Sequence, residues 1–316
     1  MPKKEAYPDE TLRMAATLYY VDGLGQAEVA NLVRVSQTKI SRLLAVALER
    51  GIVRITVEEY HARNDRLEHQ LCSRFGLKSA AVIRTAKNAG AEAARRTVGH
   101  FGAPFVASIF PTTGIVAVGG GRSVAEVVQR FRRGPTRRLS VVQAMGSIDS
   151  NISPVDALEL GRSIVKLWGG EFLTLSTPAF VPDKKTRDFF LASDQIKFVW
   201  QRLKQADAAV VGVGSLENSV YTERGVLTPG DLAHLKSAGA VGEICGRFFD
   251  AQGRECASRW RDRVISIELG YLKKIPAVVG VAAGAERAVA VTAALRGEFL
   301  KSLLIDESGA QALLAQ

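Results

Sequence analysis

Residues 114–131, GIVAVGGGRSVAEVVQRF, pass from a β-branched apolar run through three glycines into a helical pattern. That order predicts a strand, a tight turn and a helix. The same alternation recurs: apolar runs stand at 139–145 (LSVVQAM), 171–176 (EFLTLS), 207–214 (DAAVVGVG), 264–269 (VISIEL) and 277–284 (AVVGVAAG). Helical patterns fit between them at 123–132, 154–168, 183–204, 228–238 and 285–296. Continuous apolar strands alternating with helices predict a doubly wound, mainly parallel α/β sheet covered on both faces.

The glycine turn is also the first candidate site. Gly119, Gly120 and Gly121 let the backbone approach an anion, Ser123 stands at a plausible N-cap, and Arg122 offers a fork of donors. The GxGxxG dinucleotide spacing fails and no GK[ST] follows, so neither a Rossmann nor a Walker loop is present. A tight turn with no ligand fits the same pattern. Other strands end in similar material: Gln143 in VVQAMGS, Gly214 and Ser215 in VVGVGS, and the Ala283-Gly284 turn leading to Arg287. Ligands of open α/β sheets collect outside the carboxyl ends of strands, so these turns are expected to converge on one crevice. GEICGRFFDAQG at 242–253 adds Glu243, Arg247 and Asp250, each equally compatible with a surface charge.

Upstream, the period changes. Residues 26–45, QAEVANLVRVSQTKISRLLA, place Val29, Ala30, Val33, Val35, Ile40 and Leu43 where two steeply crossed helices touch. Gln37, Thr38, Lys39, Ser41 and Arg42 are left on the outward face of the second helix, and Gln26 opens the first. Such side chains reach base edges and phosphates when a recognition helix lies in a major groove. Arg34 occupies the turn position where glycine is common, which predicts local strain. GIVRITV at 51–57 alternates like a short strand or wing. The expected organisation is a small all-α winged helix-turn-helix head at 1–58, a linker helix at 59–77, and an α/β effector domain at 78–316. In that linker Leu67, Leu71 and Phe75 form a stripe suited to a dimer contact or to packing on the body.

The 316 residues carry 42 basic and 32 acidic side chains, a net +10. A nucleic-acid partner does not follow from that total, because residues 1–58 hold 8 basic and 7 acidic residues while 59–140 hold 14 and 5. A head with so few free cations neutralises few phosphates and binds weakly alone, so an oligomer on repeated half-sites is expected. Cys72, Cys245 and Cys256 have no disulfide or zinc spacing, and no cofactor or metal is expected. The start lacks an apolar signal core and no apolar run approaches ~20 residues, so a cytoplasmic protein without a membrane segment is expected.

Taken in order, YYVDGLGQAEVANLVRVSQTKISRLLAVALERGIVRI, VGGGRSVAEV, VVQAMGS, DAAVVGVGS, VGEICGRFFDAQG and the closing segment from Val278 to Leu314 resemble the SorC family of sugar-binding bacterial transcriptional regulators. The resemblance implies an effector domain built like sugar-phosphate isomerases, tetramers made from dimers, double-stranded operator DNA as partner, and control by a phosphorylated sugar or polyol. It puts the phosphate loop on Gly119, Gly120, Gly121, Arg122 and Ser123, a hydroxyl-binding acid on Glu243, and the closing basic residue on Arg287. Here that last motif reads AAGAER, and arginine, unlike lysine, cannot form a Schiff base. The rival reading is a sugar-phosphate isomerase or deaminase with an accessory head. It would need a tuned acid or base. His61, His69, His100 and His234 fall in expected helices away from the strand ends, so no catalytic set is expected.

Overall fold

The computed structural model describes residues 7–151, 153–216 and 219–316; residues 1–6 of the expected head lie outside them. The chain divides into two units, Met1–Tyr60 and His61–Gln316.

In the head, α1 spans Asp9–Ala16 and continues into a wide turn at Thr17–Val21, followed by Gly23 at φ 72°. Next come α2, Gln26–Val33, and α3, Gln37–Glu49. The Glu28 carboxylate accepts from the Gly25 N–H at 2.8 Å, and Ser36 Oγ accepts from the Lys39 N–H at 3.2 Å, so each helix start has a capping acceptor. Between them Arg34 has φ 56° and ψ 45°, the left-handed geometry that glycine adopts freely. Leu12, Ala15, Val29, Ala30, Ile40, Leu43 and Ala47 close the core, with Val33 and Val35 at its edge. The alternation at 51–57 does not become a strand: residues 54–60 have no ladder partner, and Ile55 and Val57 are exposed. A strand needs a neighbour for its backbone groups, and among the described residues the head has none.

The body opens with α4, Asp65–Phe75, whose Leu67 and Leu71 are buried in the body core. The expected linker stripe is therefore a packing face. Then follow β1 Ser79–Ile83, α5 Ala91–Ile109, β2 Thr113–Val118, α6 Arg122–Val128, β3 Arg138–Gln143, α7 Ala157–Trp168 and β4 Glu171–Leu173. The expected helix at 183–204 is two, α8 Lys184–Ala192 and α9 Asp194–Lys204, split where Ser193 is extended. Ser-Asp is itself a helix-start signal. Next are β5 Ala208–Gly212, α10 Val220–Glu223, α11 Pro229–Ser237, β6 Ala240–Ile244, β7 Arg247–Asp250 and α12 Leu269–Leu272. The chain closes with β8 Ala277–Val281, a 3₁₀ turn at Ala285–Arg287, α13 Ala288–Arg296, β9 Ser302–Asp306 and α14 Glu307–Leu314.

Seven strands form one sheet in the order β1-β9-β8-β5-β2-β3-β4, and every pairing is parallel. Successive residues serve opposite faces: Ala209 and Val211 of β5 face one core, Ala208 and Val210 the other. Both faces are covered, as the unbroken apolar runs require. The expected strand at 264–269 is absent from this sheet. It makes single bridges, Ser266 to Met145 and Val264 to Phe180, because it crosses the loops beyond β3 and β4 where no continuous ladder is on offer. Instead β6 and β7 pair as an antiparallel hairpin. Its two-residue turn, Cys245 at φ 51° and Gly246 at φ 74°, matches the twist of paired strands.

Candidate functional site

From β2 the chain runs outward to β3 and β4, then returns to β5 on the other side of β2. The strand order reverses there, and a crevice opens at the carboxyl ends of β2 and β5. Including its open mouth, the cleft measures about 810 Å³. Its lining joins Gly120, Gly121, Arg122 and Ser123 after β2, Gln143 and Met145 to Ile148 at the end of β3, Gly212 to Gly214 at the end of β5, and Glu243, Cys245 and Arg287. The expected convergence of strand ends is what the fold produces.

Crowding explains the glycines. A Cβ on Gly214 would lie 2.1 Å from Glu243 Oε1, and one on Gly120 would lie 3.0 Å from the Val155 carbonyl oxygen. Gly119 lies beneath the lining, against the Cys245 thiol. Helix α6 starts at Arg122 with Gly121 as its cap, so Ser123 is the second helical residue and not the expected N-cap. The Gly121 N–H donates to the Val155 carbonyl at 2.8 Å and is not offered to the crevice. Ser215 is buried but lines a different depression.

Glu243 is one of two buried acids in the cleft lining, the other being Asp156. Gly214 and Glu243 exchange two backbone hydrogen bonds of 3.0 Å, which brings the hairpin against the end of β5. The Glu243 Oε2 accepts from the Gly246 N–H at 2.9 Å. Burial raises its pKa to about 7, against the opposing pull of that bond and of Arg287. Burial also pushes the Cys245 thiol up to about 12, so it stays protonated. Tyr221, fully buried, directs its hydroxyl to Met145 Sδ at 3.4 Å, and burial followed by Glu243 drives its pKa well up. Gln143 is 1% exposed and accepts from the Leu175 N–H at 3.1 Å.

Three guanidinium groups, Arg95, Arg122 and Arg287, line the cleft with Glu243. Arg122 pairs with Glu223 at 2.7 Å, while Arg287 has Glu286 at 3.9 Å. Burial holds the Arg287 pKa below its ordinary value, and Arg122 and Arg95 push the same way. Arg95, on α5, escaped the sequence reading, since nothing in AEAARRTV marks one arginine of the pair as inward. Asp156 also lines the cleft, but Arg224 holds it at 2.9 Å. Arg247 and Asp250 are structural: Arg247 is buried and donates to the Ile267 and Ser266 carbonyls and to Glu255, while Asp250 holds Arg254.

All four histidines are exposed and none lines the cleft; His61 lies outside any helix, contrary to expectation. Asp207 accepts from the Ile115 N–H at 2.8 Å, at the amino end of the sheet. Part of the basic surplus of 59–140 is engaged within the body. Arg63 pairs with Glu68, Arg130 with Glu126, and Arg137 lies over the Trp168 ring at 4.1 Å. No described helix is long and apolar enough to cross a membrane.

In the head, Gln37, Thr38, Lys39, Ser41 and Arg42 are exposed on α3, and Gln26 is half-buried at the start of α2. Ile40 and Leu43 behind them are fully buried. The helix therefore presents a continuous polar face backed by a closed core, the geometry of a groove-reading helix.

The Sugar-bind family model, a sugar-binding domain, matches residues 61–315. The chain is 29% identical over 308 residues to the deoxyribonucleoside regulator of Bacillus subtilis (strain 168), covering 95% of this chain and 96% of that protein. It is 27% identical over 316 residues to the erythritol catabolism regulatory protein EryD of Brucella abortus (strain 2308), covering 98% of each. The crystal structure of the full-length sorbitol operon regulator SorC from Klebsiella pneumoniae superposes with a TM-score of 0.78 at 25% identity, covering 98% of this chain and 100% of that one.

Proposed function

Because the chain belongs to the SorC family of sugar-binding transcriptional regulators, we propose that it is a DNA-binding switch whose crevice takes a phosphorylated sugar or polyol and whose α3 reads operator DNA. It is a regulator and not a sugar-phosphate isomerase or deaminase. The relatives are named for sorbitol, erythritol and deoxyribonucleosides, and the operon regulated here is read as one for carbohydrate or polyol catabolism. The carrying observation is the charged lining of the crevice: the guanidinium groups of Arg122 and Arg287 suit a phosphate, and buried Glu243 suits a hydroxyl donor. The glycine loop adds room for an anion, and the first N–H groups of a helix have no intrahelical partner.

The switch is a difference in affinity. An effector that binds one oligomer geometry more tightly shifts the population toward it and alters the spacing of the heads, whose half-site reading needs a dimer or tetramer. A thermal-shift screen of the full-length protein against phosphorylated sugars and polyols identifies the effector class, with the parent sugars as controls. Gel-shift titrations then test the division of labour. Arg287→Ala should weaken the effector response about tenfold or more while effector-free operator binding stays intact. Arg42→Ala should weaken operator binding by about 1–3 kcal/mol and leave the thermal shift unchanged. Loss of both responses in folded Arg287→Ala would overturn the assignment.

A further inference from the structure

Arg95 lines the crevice from α5, on a different element from the glycine loop and the Arg287 turn. It is half-buried near the start of that helix. Its neighbour Arg96 points away: Arg96 is exposed, pairs with Glu92 and does not line the cleft. Among the described residues no carboxylate pairs with Arg95. Arg122 is matched by Glu223, and Asp156 by Arg224. Among the cleft arginines it is therefore Arg95 that has no ion pair, while Arg287 has a long one with Glu286 at 3.9 Å and also feels the Glu243 carboxylate. Two guanidinium groups turned toward one partly buried space repel each other unless an anion lies between them.

Arg95, Arg122, Arg287 and Glu243 all line this one cleft. After burial, the charges of Glu286, Arg122, Glu243 and Arg95 all act on Arg287. A ligand completing this lining is a polyol chain that offers hydroxyl groups to Glu243 and a doubly charged group to the arginines. A carboxylate supplies one charge, whereas a phosphate monoester supplies about −1.5 to −2 at neutral pH.

We propose that Arg95 is a specificity-determining residue of the effector site, closing on the terminal phosphate together with Arg122 and Arg287 and selecting phosphate monoesters over carboxylates and neutral sugars. This rests on the crevice being the effector site. The arrangement makes the grip three-sided, from α5, the start of α6 and the turn before α13, so the ligand ties together elements far apart in sequence.

The test uses the full-length protein, with inorganic phosphate and glucose 6-phosphate as probes and glucose and gluconate as controls. Melting temperature and calorimetric Kd are read for four proteins. The parent should bind both phosphorylated probes and neither control. Arg95→Gln should raise the Kd for the phosphorylated probes about ten- to a hundredfold. Arg95→Lys keeps the charge but loses the fork and should fall between. Arg96→Gln, one residue away and outside the cleft, should stay within about twofold of the parent, which controls for bulk electrostatics. Equal phosphate binding by Arg95→Gln and the parent would sink the assignment of Arg95 alone, leaving the effector reading intact. Equal damage from Arg96→Gln would reduce it to general charge. A parent that binds glucose or gluconate and no phosphorylated probe would remove the phosphate reading and Arg95 with it.

Discussion

In the head, the side chains proposed to meet DNA stand on the exposed side of α3, and the fully buried Ile40 and Leu43 behind them hold the helix in place. In the crevice the arrangement is inverted. Glu243 and Gln143 are themselves buried, and Gly214 is present because any side chain would strike the Glu243 carboxylate. The head can therefore keep its stability and its recognition on separate residues, while the crevice places an ionisable group where folding disfavours its charge. Substitutions behind the α3 face should act on fold first, and substitutions in the crevice should reveal a built-in cost.

The comparison breaks most sharply at Leu43. Leu43→Ala removes a fully buried side chain from the head core and should cost about 2–5 kcal/mol. Calorimetry should then show a lowered head transition and gel shifts a lost operator complex, with the body still stabilised by effector. A matching loss of effector response would mean that the two units do not divide stability as their cores do.

Next in size is Glu243→Gln. In the folded chain this carboxyl titrates at about 7, against an ordinary 4.5. Between those values the folded state binds the proton more tightly than the unfolded one, so stability falls as pH rises from 4.5 to about 7 and then levels off. The cost above pH 7 is about 3 kcal/mol. Glutamine carries no charge and retains an acceptor for the Gly246 N–H. Urea unfolding should find Glu243→Gln more stable than the parent at pH 8 and nearly equal to it near pH 4, with weaker effector binding. A variant that is less stable at pH 8 would mean that Glu243 supports the fold instead of burdening it.

The smallest effect sharpens the picture of the head. Arg34 holds a left-handed backbone. Arg34→Gly relieves that strain and should stabilise the head by about 1 kcal/mol, read as a small rise in its melting temperature. No change, or a loss, would mean that the arginine side chain supplies something its backbone geometry does not reveal.

These two regions were legible to different degrees for a physical reason. Helix-turn-helix positions follow from a 3.6-residue period, so Val29, Ala30, Ile40 and Leu43 could be assigned from spacing alone. The parallel sheet was equally plain, because strands buried on both faces carry unbroken apolar runs. The crevice was half legible. Strand-end glycines located Gly120, Gly121, Gln143 and Gly214, but Arg95 and Tyr221 enter from helices whose facing depends on tertiary packing. The wing at 51–57 and the strand at 264–269 show the converse limit. Alternation predicts a strand only if a partner is available, and neither segment has a continuous one.

The pairing of β1 with β9 has a consequence for synthesis. Ser79 lies opposite Ser302, and the register runs to Ile83 and Asp306, so the first strand of the body must wait for the ninth. The three head helices draw their core contacts from within Tyr7–Val53. On the ribosome the head can mature while the body still waits for its closing strand, and through that interval the β1 edge stays open to wrong pairings. Chains stalled before residue 302 should carry a folded head on an unfinished, protease-sensitive body.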